Sequence, residues 1–468
     1  MRIFQRNISR LRIVLFTFEF LLILGITYGI AFLTFLYQNG TGAYGLFKGN
    51  ALLFKTLLVV VVCQTCMYLN ELYDYKVTQG RREFTIRLLQ SLGIACILLS
   101  FLYLFLERVS IGQTNFLLAL PAIVLLVFGW RELYPGIMHS HRFAERVAIL
   151  GSSNTARRIL EEIRDVKDSG FDVVTLFTED DPDELVGLDA LPVRKLVPLR
   201  EFPLRGKSLP VDRIVVAIGD RRGKLPFETL LDCRFDGVLV EEAASFYEKL
   251  TGKILLDDIR PSWFIFSEGF RKSKFTLKVK RATDIVLSVT LLALSAPFLL
   301  VVALLTKLDS SGPVIYKQDR VGQGGKDYTL YKFRSMVEHA EAMGAEWAKE
   351  NDPRVTRVGR FIRKYRIDEV PQLINVFKGD MSLVGPRPER REFVMELARQ
   401  IPYYPQRLFV KPGVTGWAQI KYHYGASRDD TKEKLQYDLY YIKHMSFLFD
   451  LSIVFDTIRV VLTGKGAR

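Results

Sequence analysis

Four apolar runs crowd the N-terminal part of this chain, at about 12–36, 51–72, 87–106 and 114–130. Each is near the roughly 20 residues that a helix needs to cross a bilayer. A chain in lipid must pair its backbone groups within itself, so these runs are expected to be four membrane-spanning helices. The first is longer than the apolar core of a signal peptide and lacks a small-residue cleavage site, which makes it a retained span. Basic residues alternate in the flanks. The N-terminus carries Arg2, Arg6, Arg10 and Arg12, the connection after the second run carries Lys76, Arg81, Arg82 and Arg87, and the segment after the fourth carries Arg131, Arg142 and Arg146. The other two connections offer only Lys48 and Arg108. The positive-inside rule then places the N-terminus, and everything after residue 131, in the cytoplasm. Glu19 and Lys55 lie inside the first two runs, each within about two turns of a span end, so snorkelling to the interface is expected of both.

The composition fits a membrane protein whose polar parts meet anions. Hydrophobic residues make up 49% of the chain, yet the formal net charge is +14. Lipid headgroups, nucleotides or phosphorylated substrates are the matching partners, and a nucleic-acid binder has no use for bilayer-length runs. Of four cysteines, Cys63 and Cys66 form a CxxC within TLLVVVVCQTCMYL, where they read as helix filler, not as a zinc or redox site.

Residues 145 to about 262 change character. ERVAILGSSNTARRILEEI reads as strand, turn and helix, and FDVVTLFT and DRIVVAIGD as further strands, which predicts a parallel sheet with helices on its faces. The first turn, Gly151-Ser-Ser-Asn-Thr-Ala156, sits where a dinucleotide fingerprint would be but keeps one glycine where that fingerprint needs several. A degenerate Rossmann-like module without bound NAD is the expectation.

Two later segments point back to the membrane. IVLSVTLLALSAPFLLVVALL, from Ile285 to Leu305, is long enough to span, but Pro297 falls at its centre and should break or kink a helix. Basic residues flank both sides: Lys278, Lys280 and Arg281 before, Lys307, Lys317 and Arg320 after. The alternatives are a fifth span, or a re-entrant helix that bends and returns to the face it left. In residues 446–463, Asp450, Asp456 and Arg459 interrupt an apolar helix, as in one lying on the membrane surface.

Between those segments, basic and turn residues are dense. A glycine-rich loop, Gly322-Gln-Gly-Gly325, precedes Lys332 and Arg334; Arg354, Arg357, Arg360, Arg363, Lys364 and Arg366 then lead to adjacent acids, Asp368 and Glu369, and on to Asp380 and Pro386-Arg387-Pro388. Read alone, an acid pair ahead of Pro371 is helix capping. So many guanidinium groups ending at two carboxylates instead suit a pocket for phosphates. Adjacent residues on a helix point about 100° apart, so the two acids suit separate roles. One can attack phosphorus and its neighbour can hold Mg²⁺.

From about Lys278 onward the chain resembles the bacterial sugar transferase family, the polyprenyl-phosphate sugar-1-phosphate transferases. The resemblance rests on DIVLSVTLLALSAPFLL, LDSSGPVIYKQDRVGQGGKDYTLYKFRSM, NDPRVTRVGRFIRKYRIDEVPQLINVFKGDMSLVGPRPE and KPGVTGWAQI. AASFYEKLTGKILLDDIRPSWFIFSEGF resembles the linker of exopolysaccharide-associated long forms. The resemblance implies four parts. Residues 1–135 form a four-helix transmembrane bundle, 145–262 the Rossmann-like α/β module, 263–277 the linker, and 278–468 an α-rich monotopic catalytic domain. That domain carries a re-entrant membrane helix at about 284–306 and an interfacial helix at about 446–463.

The resemblance also implies a chemistry. Asp368 attacks the β-phosphate of a UDP-sugar and releases UMP, and undecaprenyl phosphate then takes the sugar-phosphate, at the cytoplasmic face of the inner membrane. Glu369 helps hold Mg²⁺; Lys332, Arg334, Arg354, Arg357, Arg363 and Arg387 are the phosphate-binding candidates; Asp380, Pro386 and Pro388 shape the active-site loop; Ser295 and Pro297 mark the re-entrant break. Members often have Ser-Pro at that break, and this chain has Ala296-Pro297 with Ser295 one residue earlier. The lipid bilayer is a partner, and the apolar span faces leave room for a homodimer. Two other readings remain at this point: a glycosyltransferase that releases UDP, and a non-catalytic membrane scaffold or sensor.

Overall fold

The computed structural model describes residues 10–39, 49–70, 72–73, 81–106, 110–138, 144–165, 170–179, 192–202, 210–219, 225–258, 264, 267–338, 352–422 and 427–463. Of the basic residues used for orientation, Arg2, Arg6, Lys48, Lys76, Arg108 and Arg142 lie outside them. The chain forms two compact units, one ending at Ala243 and the next beginning at Ala244.

The first unit opens with four long helices, α1 (Arg10–Asn39), α2 (Gly49–Leu69), α3 (Arg81–Phe105) and α4 (Gln113–Met138). Each is long and apolar enough to cross a membrane. They share a core that includes Ile23, Val60, Met67, Leu88, Leu99 and Val127, while leucines such as Leu33, Leu104 and Leu125 face outward. Helices apolar on all sides belong in lipid. Cys63 and Cys66 are buried, unbonded thiols in this core, as filler would be. Glu19 departs from the snorkelling expectation. Its carboxylate is fully buried and accepts from Arg131 Nε of α4 at 2.5 Å, and that guanidinium also lies over the Tyr73 and Phe84 rings. An unpartnered carboxylate in an apolar bundle is costly, and α4 supplies the counter-ion.

A five-stranded parallel sheet follows, with β1 (Glu145–Leu150), β2 (Phe171–Thr178), β3 (Val193–Pro198), β4 (Arg213–Val216) and β5 (Leu239–Glu242) in the order β3-β2-β1-β4-β5. Its helices are α5 (Asn154–Asp165) and α6 (Phe227–Phe235). This is the parallel sheet that the strand-turn-helix spacing predicts. It also explains the lone glycine of the first turn. Gly151 has φ +101°, and a Cβ there would meet the Ala217 carbonyl oxygen at 2.6 Å. The glycine therefore serves the close approach of two chain segments at the ends of β1 and β4, with no dinucleotide required.

Strand β5 runs without a linker into α7 (Ala243–Thr251). The sequence placed the end of the α/β module near residue 262, but the segment from Ala244 to Asp258 packs in the second unit. Trp417 Nε1 donates to the Gly252 carbonyl at 2.8 Å, Lys253 pairs with Glu433 at 2.6 Å, and Glu248 takes Lys443 at 2.8 Å and His444 at 2.5 Å. Ile254 and Leu256 enter the core beside Leu435, Leu439 and Tyr440. Apolar residues in a stretch read as linker found their partners about 180 positions downstream.

The rest of the second unit comprises α8 (Lys274–Asp309), the antiparallel hairpin β6 (Ile315–Val321) and β7 (Asp327–Phe333), α9 (Arg357–Lys364), α10 (Gln372–Lys378), β8 (Ser382–Val384), α11 (Arg391–Gln400), β9 (Gly413–Thr415), α12 (Trp417–Lys421), α13 (Arg428–His444) and α14 (Phe447–Thr463). The assigned helix α8 continues through Pro297. Ser295 does not serve the carbonyl that the proline leaves, which is that of Ala293, four residues back. Its hydroxyl donates to Leu291 at 2.6 Å and Leu292 at 3.4 Å instead. Helix α14 packs Phe449 and Ile453 into the core yet keeps its acids off the surface. Asp450 and Asp456 are buried, whereas Phe447, Leu448, Phe455 and Ile458 are exposed. An apolar outward face free of acids fits a membrane surface.

Candidate active site

The acid pair sits in a 3₁₀ turn, Ile367–Glu369, between α9 and α10. It is not in the first turn of an α-helix, so the capping reading fails. Helix α9 ends at Lys364 with Tyr365 as its cap, and Arg366 takes the left-handed conformation, φ 53° and ψ 23°. That reversal turns the dyad toward β7. Asn375 of α10 fixes the other side. Fully buried, it accepts from the Tyr331 amide at 3.1 Å and donates to the Thr329 carbonyl at 2.7 Å, which ties α10 to β7.

The two carboxylates have opposite environments. Glu369 is buried, and its Oε1 accepts from Lys332 Nζ at 3.1 Å and from Arg387 Nη2 at 3.0 Å. Arg366 Nη1 lies 3.8 Å from Oε2. Burial pushes the Glu369 carboxyl up, but Lys332, Arg387 and Arg366 outweigh it and hold it well below the usual carboxylate range. Asp368 is half-buried, and no side-chain or backbone donor bonds its carboxylate among the described residues. Burial, and then the adjacent Glu369 charge, push it up to about 6, with Lys332, Arg363 and Arg366 pulling the other way. A locked anion thus stands beside an available one, in a field of cations.

Of the predicted site residues, the fold brings together Asp368, Glu369, Lys332, Arg363 and Arg387. Others go elsewhere. Arg334 is buried at the end of α8, donating to the carbonyls of Thr306, Ser310 and Pro313, so it clamps a helix terminus instead of facing the dyad. Arg354 pairs with Asp352 at 2.6 Å, and Arg357 is exposed at the start of α9. Asp380 accepts a long 3.5 Å contact from Asn375 and supports α10. Pro386 and Pro388 act through their carbonyls, which accept from Gly413 N and Arg320 Nη1 and pin the backbone on either side of Arg387.

Sequence reasoning left several residues unassigned. Arg366 was one cation in a basic run. Gln419 Oε1 accepts from Arg387 Nη1 at 3.4 Å. Arg407, paired with Asp438 at 2.8 Å, donates to the Arg387 carbonyl at 2.9 Å. Their only signal in the sequence was nearness to Pro and Gly.

The dyad and its cations lie within residues 275–464, which match the family model described as bacterial sugar transferase. Beyond that region, the UDP-glucose:undecaprenyl-phosphate glucose-1-phosphate transferase of Escherichia coli is 34% identical over 343 residues, 71% of each chain. The chain belongs to the bacterial sugar transferase family. Among other relatives, the UDP-N-acetylgalactosamine-undecaprenyl-phosphate N-acetylgalactosaminephosphotransferase of Aeromonas hydrophila is 46% identical over 239 residues, covering 51% of this chain and 56% of that one. The undecaprenyl-phosphate glucose phosphotransferase of Komagataeibacter xylinus is 33% identical over 360 residues, 74% of this chain and 65% of that one. This bacterial sugar transferase thus spans little more than half the length of the Aeromonas relative, and five long apolar helices among the described residues make it a membrane protein.

Proposed function

We propose that the protein transfers a sugar-1-phosphate from a UDP-sugar to undecaprenyl phosphate through a covalent intermediate on Asp368. The observation that carries this reading is the unpartnered, half-buried carboxylate of Asp368 beside a Glu369 fully engaged by cations. A nucleophile must be free to move onto its target, and Asp368 is the acid that is free. An Asp368 oxygen attacks the β-phosphorus, and the bridging P–O bond breaks with its electron pair leaving on UMP. An oxygen of undecaprenyl phosphate then attacks the same phosphorus, displaces the carboxylate and yields the lipid diphosphosugar. Lys332, Arg363 and Arg387 hold the phosphate oxygens in line, which is most of what phosphoryl-transfer catalysis requires.

The donor set also fits a Mg²⁺ shared with substrate. Such an ion takes one or two carboxylates plus substrate phosphates, and no group of three acidic, His or Cys side chains occurs among the described residues for a protein-only site. Glu369 is the residue that would help hold it, through Oε2, which Lys332 and Arg387 do not occupy, and when bound it would neutralise diphosphate charge.

The membrane geometry supports the same reading. At one end of α8, Arg281 donates to the Val376 and Phe377 carbonyls; at the other, Arg334 holds the Thr306 and Ser310 carbonyls. A straight helix between these anchors would run about 37 Å, more than the hydrocarbon thickness, so a full crossing would drag part of one folded unit through the bilayer. This supports the reading in which α8, with Pro297 at its centre, dips into the membrane and returns to the face it left, on the cytoplasmic side of the inner membrane. The outward apolar face of α14 rests on the same leaflet, beside the acceptor's phosphate.

The test is nucleotide release by the purified full chain with Mg²⁺, undecaprenyl phosphate and a panel led by UDP-N-acetylgalactosamine and UDP-glucose. UMP release from one sugar, abolished in Asp368→Asn with membrane insertion intact, is expected. UDP release, or full activity in the variant, would overturn the assignment.

A further inference from the structure

Arg366 stands where the chain pays for a side chain it could have omitted. Among the described residues only Arg366 and Tyr403 are non-glycine residues at positive φ. Its N–H donates to the Arg363 carbonyl at 3.1 Å and its own carbonyl accepts from Glu369 N at 3.2 Å, closing α9 and opening the catalytic turn. At such a helix end glycine is the common residue, because only glycine adopts the left-handed region without strain. Arginine gains nothing here through its backbone. Its guanidinium must therefore be what the position is for.

That guanidinium faces the dyad. It reaches Glu369 Oε2 only at 3.8 Å, the limit of an ion pair, while Lys332 and Arg387 take Oε1 at 3.1 and 3.0 Å. Its side chain is 30% exposed, so it opens to solvent where a ligand enters. Lys332, Arg363 and Arg387 stand around the same two carboxylates, so a diphosphate entering there meets several cations.

We propose that Arg366 is a donor-binding residue whose guanidinium, held 3.8 Å from Glu369 Oε2, grips the diphosphate of the nucleotide-sugar. This rests on the reading of the dyad as a site for a nucleotide diphosphate donor. The left-handed backbone is the device that lets an arginine and Asp368, two residues apart, address one pocket. A bidentate fork on a phosphate is the contact lysine cannot reproduce.

The discriminating variant is Arg366→Gly, which keeps the left-handed turn, relieves its strain and deletes only the guanidinium; Arg366→Lys keeps the charge and loses the fork. Kinetics with UDP-sugar and undecaprenyl phosphate, equilibrium binding of UDP to the full chain, and a thermal melt are the readouts. Arg366→Gly is expected to raise the donor KM and weaken UDP binding by about tenfold or more, with the acceptor KM within about twofold and the melting temperature unchanged or higher. Arg366→Lys should recover part of the loss. Unchanged donor KM and UDP affinity in Arg366→Gly would reduce Arg366 to a backbone role, and a change confined to the acceptor KM would move it to the lipid phosphate; either overturns the proposal. The UDP-binding arm needs no turnover, so it reads Arg366 even if wild-type protein releases no UMP, an outcome that would sink the wider assignment alone.

Discussion

Arg334 and Lys332 are two residues apart, and the sequence offers both as phosphate ligands; the structure separates them by partner. Consider Arg334→Met, which keeps most of the side chain's length and apolar contact while removing its donors. Three carbonyls at and after the C-terminal end of α8, those of Thr306, Ser310 and Pro313, lose charge-assisted bonds of 3.2, 2.6 and 2.6 Å. A net worth of about 1.5 kcal/mol for each bond from a charged donor, the low end for such bonds, gives a loss of about 4–5 kcal/mol. Some of this is recovered, because Arg334 Nε is buried without a partner and the variant no longer bears that cost. A fall of about 3 kcal/mol corresponds to about 6–12 °C in melting temperature for a unit of this size. The loop after α8 is shaped to the guanidinium: a Cβ on Gly312, at φ +109°, would come within 2.6 Å of Arg334 Nη1. Gly312→Ala should therefore show a similar fall. The assay is a thermal melt of detergent-purified protein alongside donor KM on the folded fraction. A destabilised variant with an unaltered donor KM is expected. An unchanged melting temperature with a raised donor KM would refute the clamp and return Arg334 to the phosphate site.

Three further outcomes follow from the geometry. UMP release should fall as pH drops through about 6, because the Asp368 carboxyl is raised to about 6 and only its ionised form attacks; a midpoint near 4 in the pH–rate profile would show that burial does not govern it. Asn375→Ala should cost about 2 kcal/mol by leaving the part-buried Tyr331 amide and Thr329 carbonyl without their partner, and an unshifted melt would sink that account. Glu19→Leu and Arg131→Leu should each destabilise the helical bundle and the double substitution should regain part of the loss; additive single effects in the double-mutant cycle would mean that the pair is not coupled.

The correspondence between sequence and structure was closest where the signal is local. Apolar length sets a span, so α1 to α4 fall close to the runs that predict them. FDVVTLFT is strand β2 residue for residue, since a buried parallel strand is a short apolar run bounded by turns. The dyad was legible as a candidate because its two acids are neighbours in the chain.

What the sequence left open depends on partners far along the chain. Periodicity and composition are summed over short windows, and no such window contains both Glu19 and Arg131, which lie 112 positions apart. Nor does one contain Trp417 and the carbonyl of Gly252, whose contact carries a stretch read as linker into the second unit's core. The division of labour within the dyad has the same origin: adjacent acids look alike in sequence, and only the arrival of Lys332 from β7 and Arg387 from its proline loop makes one a fixed counter-ion and leaves the other free. By itself the sequence determined the long apolar helices and the parallel sheet, and it offered the acid pair as a candidate. The tertiary structure decided which cation meets which anion, because charge pairing over such separations is settled by the packing that brings the elements together.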